Sequence, residues 1–298
     1  MAEVLALIAA CLFALAATLQ QKGALGMGEV SLGSPSSFVR LAKQTFWLLG
    51  TVALLAGYVV QAVALDNGRL AVIQPLLVTT IVFALPLGYL LTNQVVNRRE
   101  IAAAAFVVLG LAVFTVVGQA DTGRDNAPGW QWTIAIVLLG TLAGVLIVLG
   151  NRGSTARKAA LYGASAGILY GLSASLWKPT AEAFDVDGLG GMLSSWELYV
   201  FSAAGILAFV VQQVSLATGR LAASVATVSV CNPLVSILIG TILLEERLAP
   251  PLWHKTIAYA GLGLALLAAV EITRATEGPK EPGSGDVAGA TATATASR

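Results

Sequence analysis

Asn232 and Pro233 stand side by side inside the apolar run 221–244, with Thr227, Ser229 and Ser236 on the same run. Proline has no backbone N–H, so it releases a carbonyl one turn earlier and loosens the helix around it. An amide, hydroxyls and a released carbonyl can hold a neutral or zwitterionic solute by hydrogen bonds. They offer no nucleophile, general base or phosphate cradle. A second set, Gln74-Pro75 with Thr79 and Thr80, lies on the run 70–91. Tyr170, Ser173 and Ser175 lie on a third run, 159–178. Polar groups in hydrocarbon need partners or a wet cavity. Asn232 therefore either faces a solute or holds a kink through an interhelical bond. Ser173 and Ser175 either line a cavity or bond backward to carbonyls. Gln61 and Gln212 either bind or cross-link helices. The expected solute-binding set is Asn232, Gln74, Thr227, Tyr170, Ser229, Thr79 and Ser173. No cofactor and no catalytic residue is expected.

These groups need elements that hold them at depth. Hydrophobic residues make up 57% of the chain and charged residues 11%, with a mean hydropathy of +0.81. A soluble domain carries roughly 25% charge, so the class is a polytopic membrane protein. Its partners are then the lipid bilayer and a small-molecule or ion substrate; a homodimer is left open. The net charge of +1 gives no basic surface for nucleic acid. His254 stands alone, and Cys11 and Cys231 lie in apolar runs, where both read as small buried side chains. They cannot form a zinc cluster.

A bilayer crossing takes roughly 20 mostly apolar residues. That measure predicts an all-α chain of about nine helices, at 2–21, 47–65, 70–91, 101–117, 130–149, 159–178, 199–216, 221–244 and 256–272. The first is not a signal peptide, because it lacks a basic leader. The segment 22–46 reads as a flexible surface connection. The tail 276–298, ending in Ala-Thr repeats, reads as disordered.

The chain repeats itself. Residues 209–229 read FVVQQVSLATGRLAASVATVS, and residues 58–79 read YVVQAVALDNGRLAVIQPLLVT. Gln61 falls on Gln212, and Gly68-Arg69-Leu70-Ala71 on Gly219-Arg220-Leu221-Ala222, at an offset of 151. Helices one and six also align: Ala6, Ala10 and Ala14 fall on Gly163, Gly167 and Gly171. Small residues four apart make a groove that lets another backbone approach closely. The units are 1–149, with five helices, and 150–275, with four. An odd first unit makes the second enter the membrane from the opposite side, as in inverted-repeat transporters. Lys and Arg gather on one side, at Lys22, Arg40, Lys43, Arg98, Arg99, Arg152, Arg157, Lys158, Arg220, Arg274, Lys280 and Arg298, against Arg69, Arg124, Lys178, Arg247 and Lys255 on the other. The positive-inside rule makes that side cytoplasmic, with the N-terminus outside and the C-terminus inside.

Gly219-Arg220-Leu221-Ala222-Ala223-Ser224, then Asn232-Pro233-Leu234, then the Leu244-Glu245-Glu246-Arg247-Leu248 loop, resembles the second EamA-type repeat of the drug/metabolite transporter superfamily. Gly68-Arg69-Leu70-Ala71 with Pro75 is a weaker first copy. Nine helices, and Leu19-Gln20-Gln21-Lys22-Gly23 ending helix one, are similar to NIPA-type magnesium transporters. The resemblance implies a transporter without naming its cargo. Small multidrug pumps of the superfamily exchange protons through a carboxylate inside the membrane. Here no Asp or Glu falls in the middle of a predicted helix, which argues against that mechanism. The same feature weakens a magnesium reading, since Mg²⁺ usually takes one or two carboxylates. The expected function is alternating-access transport of a small neutral or zwitterionic solute. The alternatives are a NIPA-like divalent-cation transporter and a non-transporting membrane scaffold.

Overall fold

The computed structural model describes the chain except residues 28–29, 31–34, 68–75, 95, 118–119, 122–123, 125, 153, 246, 249–251 and 278–298. Among the described residues the fold is all-α, with ten helices and one short antiparallel pairing. The helices are α1 (Ala2–Leu25), α2 (Pro35–Leu41), α3 (Thr45–Asn67), α4 (Thr80–Thr92), α5 (Arg98–Val117), α6 (Gly129–Gly150), α7 (Thr155–Ser194), α8 (Trp196–Ala217), α9 (Leu221–Ile242) and α10 (Leu252–Glu277). Strands β1 (Ala120–Asp121) and β2 (Arg247–Leu248) pair Ala120 with Leu248 and Asp121 with Arg247. Among the described residues six helices are long and apolar enough to cross a membrane: α1, α6, α7, α8, α9 and the part of α10 from Thr256 to Thr276. Helices suit such a sequence because each satisfies its own backbone polar groups where no water is at hand.

Packing follows the small residues. Helix α1 lies against α3 and α4, α7 against α6, α8 and α9, and α5 against α10. Ala6, Ala9, Ala10 and Ala14 on α1 are fully buried. The glycine row on α7 meets α9 along its length. A methyl at Gly167 would sit 2.8 Å from Cys231 Cβ, and one at Gly171 would sit 2.6 Å from the Asn232 carbonyl oxygen. Gly163 is equally tight, 2.8 Å from the Ser224 carbonyl oxygen. One apolar core joins α1, α4, α5, α9 and α10 through residues such as Ile81, Val107, Leu111 and Val230. Another joins α6, α7, α8 and α9 through Leu169, Leu176, Val211 and Ile239. Large apolar side chains on α6, among them Val137, Leu138 and Val148, point outward as lipid-facing residues do.

Three features differ from the sequence expectation. Helix α7 runs well past 178, through Pro179 to Ser194, with non-helical backbone only at Asp187 and Gly188. The polar, Gly-rich stretch 179–194 carries no apolar period from which to expect a helix. The connection 22–46 contains the short helix α2, whose Leu41 is fully buried. Cys11 is exposed on α1 rather than buried, and Cys231 is half-buried; both are free thiols.

Hydrogen bonds define the two ends of the bundle. At one end, α1, the α4–α5 connection and the start of α9 are joined through Gln21, Gln94 and Leu221. The start of α7 meets the end of α8 there, where Ser215 Oγ donates to the Ala159 carbonyl. At the other end Arg124 pairs with Glu245 over 2.8 Å, and Lys178 Nζ donates to the Arg124 carbonyl over 3.0 Å. Asn126 there donates to Glu197 over 3.1 Å and accepts from Trp132 Nε1 over 2.9 Å.

Candidate functional site

Pro233 lies within α9 and leaves the Ser229 carbonyl without its usual helical donor. Ser229, Asn232 and Ser236 are three and four residues apart, so they share one face of the helix. Ala222 and Val225 continue that face toward the helix start. To one side of it, α9 packs on the α7 glycines. To the other, Ala226 and Val230 enter the core shared with α1, α4 and α5. Ser236 Oγ donates to the Asn232 carbonyl over 3.1 Å and approaches the Gly171 carbonyl at 3.4 Å. Ser229 and Asn232 are half-buried, and neither side chain bonds another described residue. An amide, a hydroxyl and a released carbonyl therefore stand together, able to give and accept hydrogen bonds.

The other expected residues divide. Tyr170 on α7 is half-buried and donates to Gln212 Oε1 on α8 over 2.8 Å. Ser173 Oγ donates to the Phe201 carbonyl over 2.9 Å, a second tie between α7 and α8. Ser175 bonds backward to the Gly171 carbonyl over 2.8 Å. Thr227 bonds backward to the Ala223 carbonyl over 2.8 Å and packs against Gly163. Thr79 bonds the Leu76 carbonyl over 2.5 Å. Gln74 lies outside the described residues. Asn232 and Ser229 thus keep free bonding capacity, Tyr170 and Ser173 join helices, and Thr227 and Thr79 satisfy themselves locally.

Sequence reasoning missed a buried amide network at the Gln94 end. Trp47 Nε1 donates to Gln213 Oε1 over 2.8 Å, and Gln213 Nε2 donates to Gln20 Oε1 over 3.2 Å. Gln94 Nε2 donates to Gln21 Oε1 over 2.5 Å, and its Oε1 accepts from the Leu221 backbone over 3.4 Å. Gln20, Gln21 and Gln213 are almost wholly buried, and Gln21 Nε2 has no partner among the described residues. The available signal was the doubled Gln20-Gln21 and Gln212-Gln213, each near the end of an apolar run.

Beside this network is a cleft of about 350 Å³, lined by Gln94, Glu100, Arg220 and Thr276 and backed by Leu85 and Ala222. Glu100 sits in the first turn of α5, ahead of the apolar run 101–117, and is only 6% exposed. Burial pushes its carboxyl above the ordinary value of 4.5, and Thr276, the Asn97 backbone and the Arg220 charge offset this only in part.

Composition, length and packing together define a multi-helix membrane protein. The chain is similar to an uncharacterized protein of Corynebacterium glutamicum, 28% identical over 273 residues, covering 89% of this chain and 93% of the relative. No protein-family profile matches the chain. No solved structure matches it.

Proposed function

We propose that this protein is a secondary transporter that moves a small neutral or zwitterionic solute by alternating access between two inverted repeats. The carrying observation is two unpaired polar side chains on one face of α9. Ser229 and Asn232 stand beside the carbonyl released by Pro233, on an apolar, membrane-length helix. Polar groups at such depth without partners are expected where a solute or water takes their bonds. Tyr170 and Gln212, bonded to each other between α7 and α8, add a hydroxyl and an amide on membrane-length helices.

The repeat reading draws support from one contact. Gly110 on α5 and Gly261 on α10 face each other backbone to backbone, and a methyl on Gly261 would sit 2.6 Å from the Gly110 carbonyl oxygen. They are 151 residues apart, the offset at which 58–79 matches 209–229. Equivalent residues of two repeats touch where a pseudo-two-fold axis passes. The pairings of α1 with α3 and of α7 with α8 fit the same relation.

The test is a thermal-shift screen of purified protein against neutral metabolites, zwitterions and Mg²⁺, followed by uptake into liposomes. A stabilising metabolite that also enters the liposomes is the expected result. Stabilisation and uptake of Mg²⁺ alone would move the reading to a divalent-cation transporter. No stabilisation and no uptake would leave a membrane scaffold.

A further inference from the structure

Glu100 and Arg220 come from different elements, α5 and the turn before α9, and both line the cleft at the Gln94 end. Their charges are opposite, yet the only ion pairs among the described residues are Met1–Glu3 and Arg124–Glu245. Arg220 instead donates to the Thr276 carbonyl over 3.1 Å and is otherwise exposed. Glu100 is nearly buried. Both charges thus line one cavity of about 350 Å³ without a direct ion pair, Arg220 acting on the Glu100 carboxyl only at a distance and the Thr276 side chain bonding it; sites for small metabolites start at about 300 Å³. The back wall is apolar and shallow, formed by Ala84, Leu85, Gly88 and Ala222. Other charged groups nearby are Arg98 and Arg99 on α5 and Arg274 on α10, all exposed; Gln94 and Asn97 are neutral.

We propose that this cleft binds a small aliphatic zwitterion of the α-amino-acid type. Its ammonium meets the Glu100 carboxylate, its carboxylate meets the Arg220 guanidinium, and its side chain rests on the Ala84–Leu85–Gly88 wall. A lone cation would leave Arg220 uncompensated, and a lone anion would meet Glu100 with the wrong sign. The cleft also touches the start of the polar face of α9. Ala222 lines it, and Asn232 lies ten residues further along the same face, about 15 Å at helical rise. Val225, 5% exposed, lies between them on that face. The cleft is then the receiving vestibule of the transport route, an assignment that rests on the transport reading and names its substrate class.

Leucine is the probe, with leucinamide carrying only the ammonium and 4-methylpentanoate only the carboxylate. Leucine in large excess over its Kd should raise the melting temperature of the purified full chain by about 5 °C. Neither single-charge analogue should do so, and Glu100→Gln and Arg220→Gln should each remove the leucine response. Glu100→Gln changes the baseline melting temperature by itself, so the exposed Arg220→Gln is the deciding variant. No leucine response in the unmodified protein overturns the proposal. So does a response shared by either analogue, or one that survives Arg220→Gln. Leucine binding without leucine uptake into liposomes would keep the vestibule and remove the transport reading. Transport of another solute at an unchanged rate by Arg220→Gln would do the reverse.

Discussion

The indole of Trp47 donates to Gln213 Oε1 over 2.8 Å, joining α3 to α8 across 166 residues of chain. Gln213 passes the bond on to Gln20, so three helices share one buried amide. Interhelical bonds of this kind average about 0.6 kcal/mol and reach about 1.7. Gln213→Leu should therefore lower stability by roughly 1–2 kcal/mol, because it also strands the Trp47 donor. Trp47→Phe with Gln213→Leu should cost less than the two single changes added. A thermal double-mutant cycle measures this, and strict additivity would mean the bond contributes nothing.

Asn232→Leu should abolish transport while the melting temperature stays close to that of the unmodified protein. The side chain bonds no described residue, so little structure is lost with it. Uptake and thermal stability have to be read on the same preparation. A destabilised variant that still transports would make Asn232 a packing residue and move the site off α9.

Gly167→Leu should reduce the folded yield sharply. A methyl there already lies 2.8 Å from Cys231 Cβ, and overpacking in a tight core costs about 1–3 kcal/mol. Size-exclusion profiles and melting curves would report it. Normal yield and melting would show that α7 and α9 can separate without penalty.

Glu100 predicts a pH dependence. Its folded carboxyl titrates above the ordinary 4.5, so the folded protein holds a proton that the unfolded chain has released. Without a bound cation, stability should fall as pH rises from near 4.5 through the raised value. Glu100→Gln should melt higher than the unmodified protein at neutral pH, with the gap closing in acid. Parallel melting curves at every pH would place Glu100 in contact with water instead.

The Lys and Arg asymmetry predicts an outside N-terminus and an inside C-terminus. Reporter fusions at both ends check it. Two cytoplasmic ends would require an even number of crossings.

Much of the helical layout was legible because hydrocarbon enforces it: apolar runs of bilayer length have few other options. The small-residue row of α7 was legible for a similar reason, since Gly163, Gly167 and Gly171 have the spacing of a single face. The extension of α7 to Ser194 was hidden, because 179–194 has neither apolar length nor period. The amide network was hidden more deeply. Gln20, Gln94 and Gln213 meet only through tertiary packing, and nothing in their local spacing pairs them. Glu100 gave no signal at all, lying just ahead of the apolar run 101–117. Its burial comes from three chain segments converging, which no single window of sequence contains.

Gly110 and Gly261 each occupy the only space the other leaves. A side chain at either position must displace the opposite backbone, so neither position can drift alone. In a set of related sequences these two columns should vary together or remain fixed together, although no hydrogen bond or charge links them. The pair is thus a form of shared inheritance: two sites in separate stretches of chain that selection must treat as one.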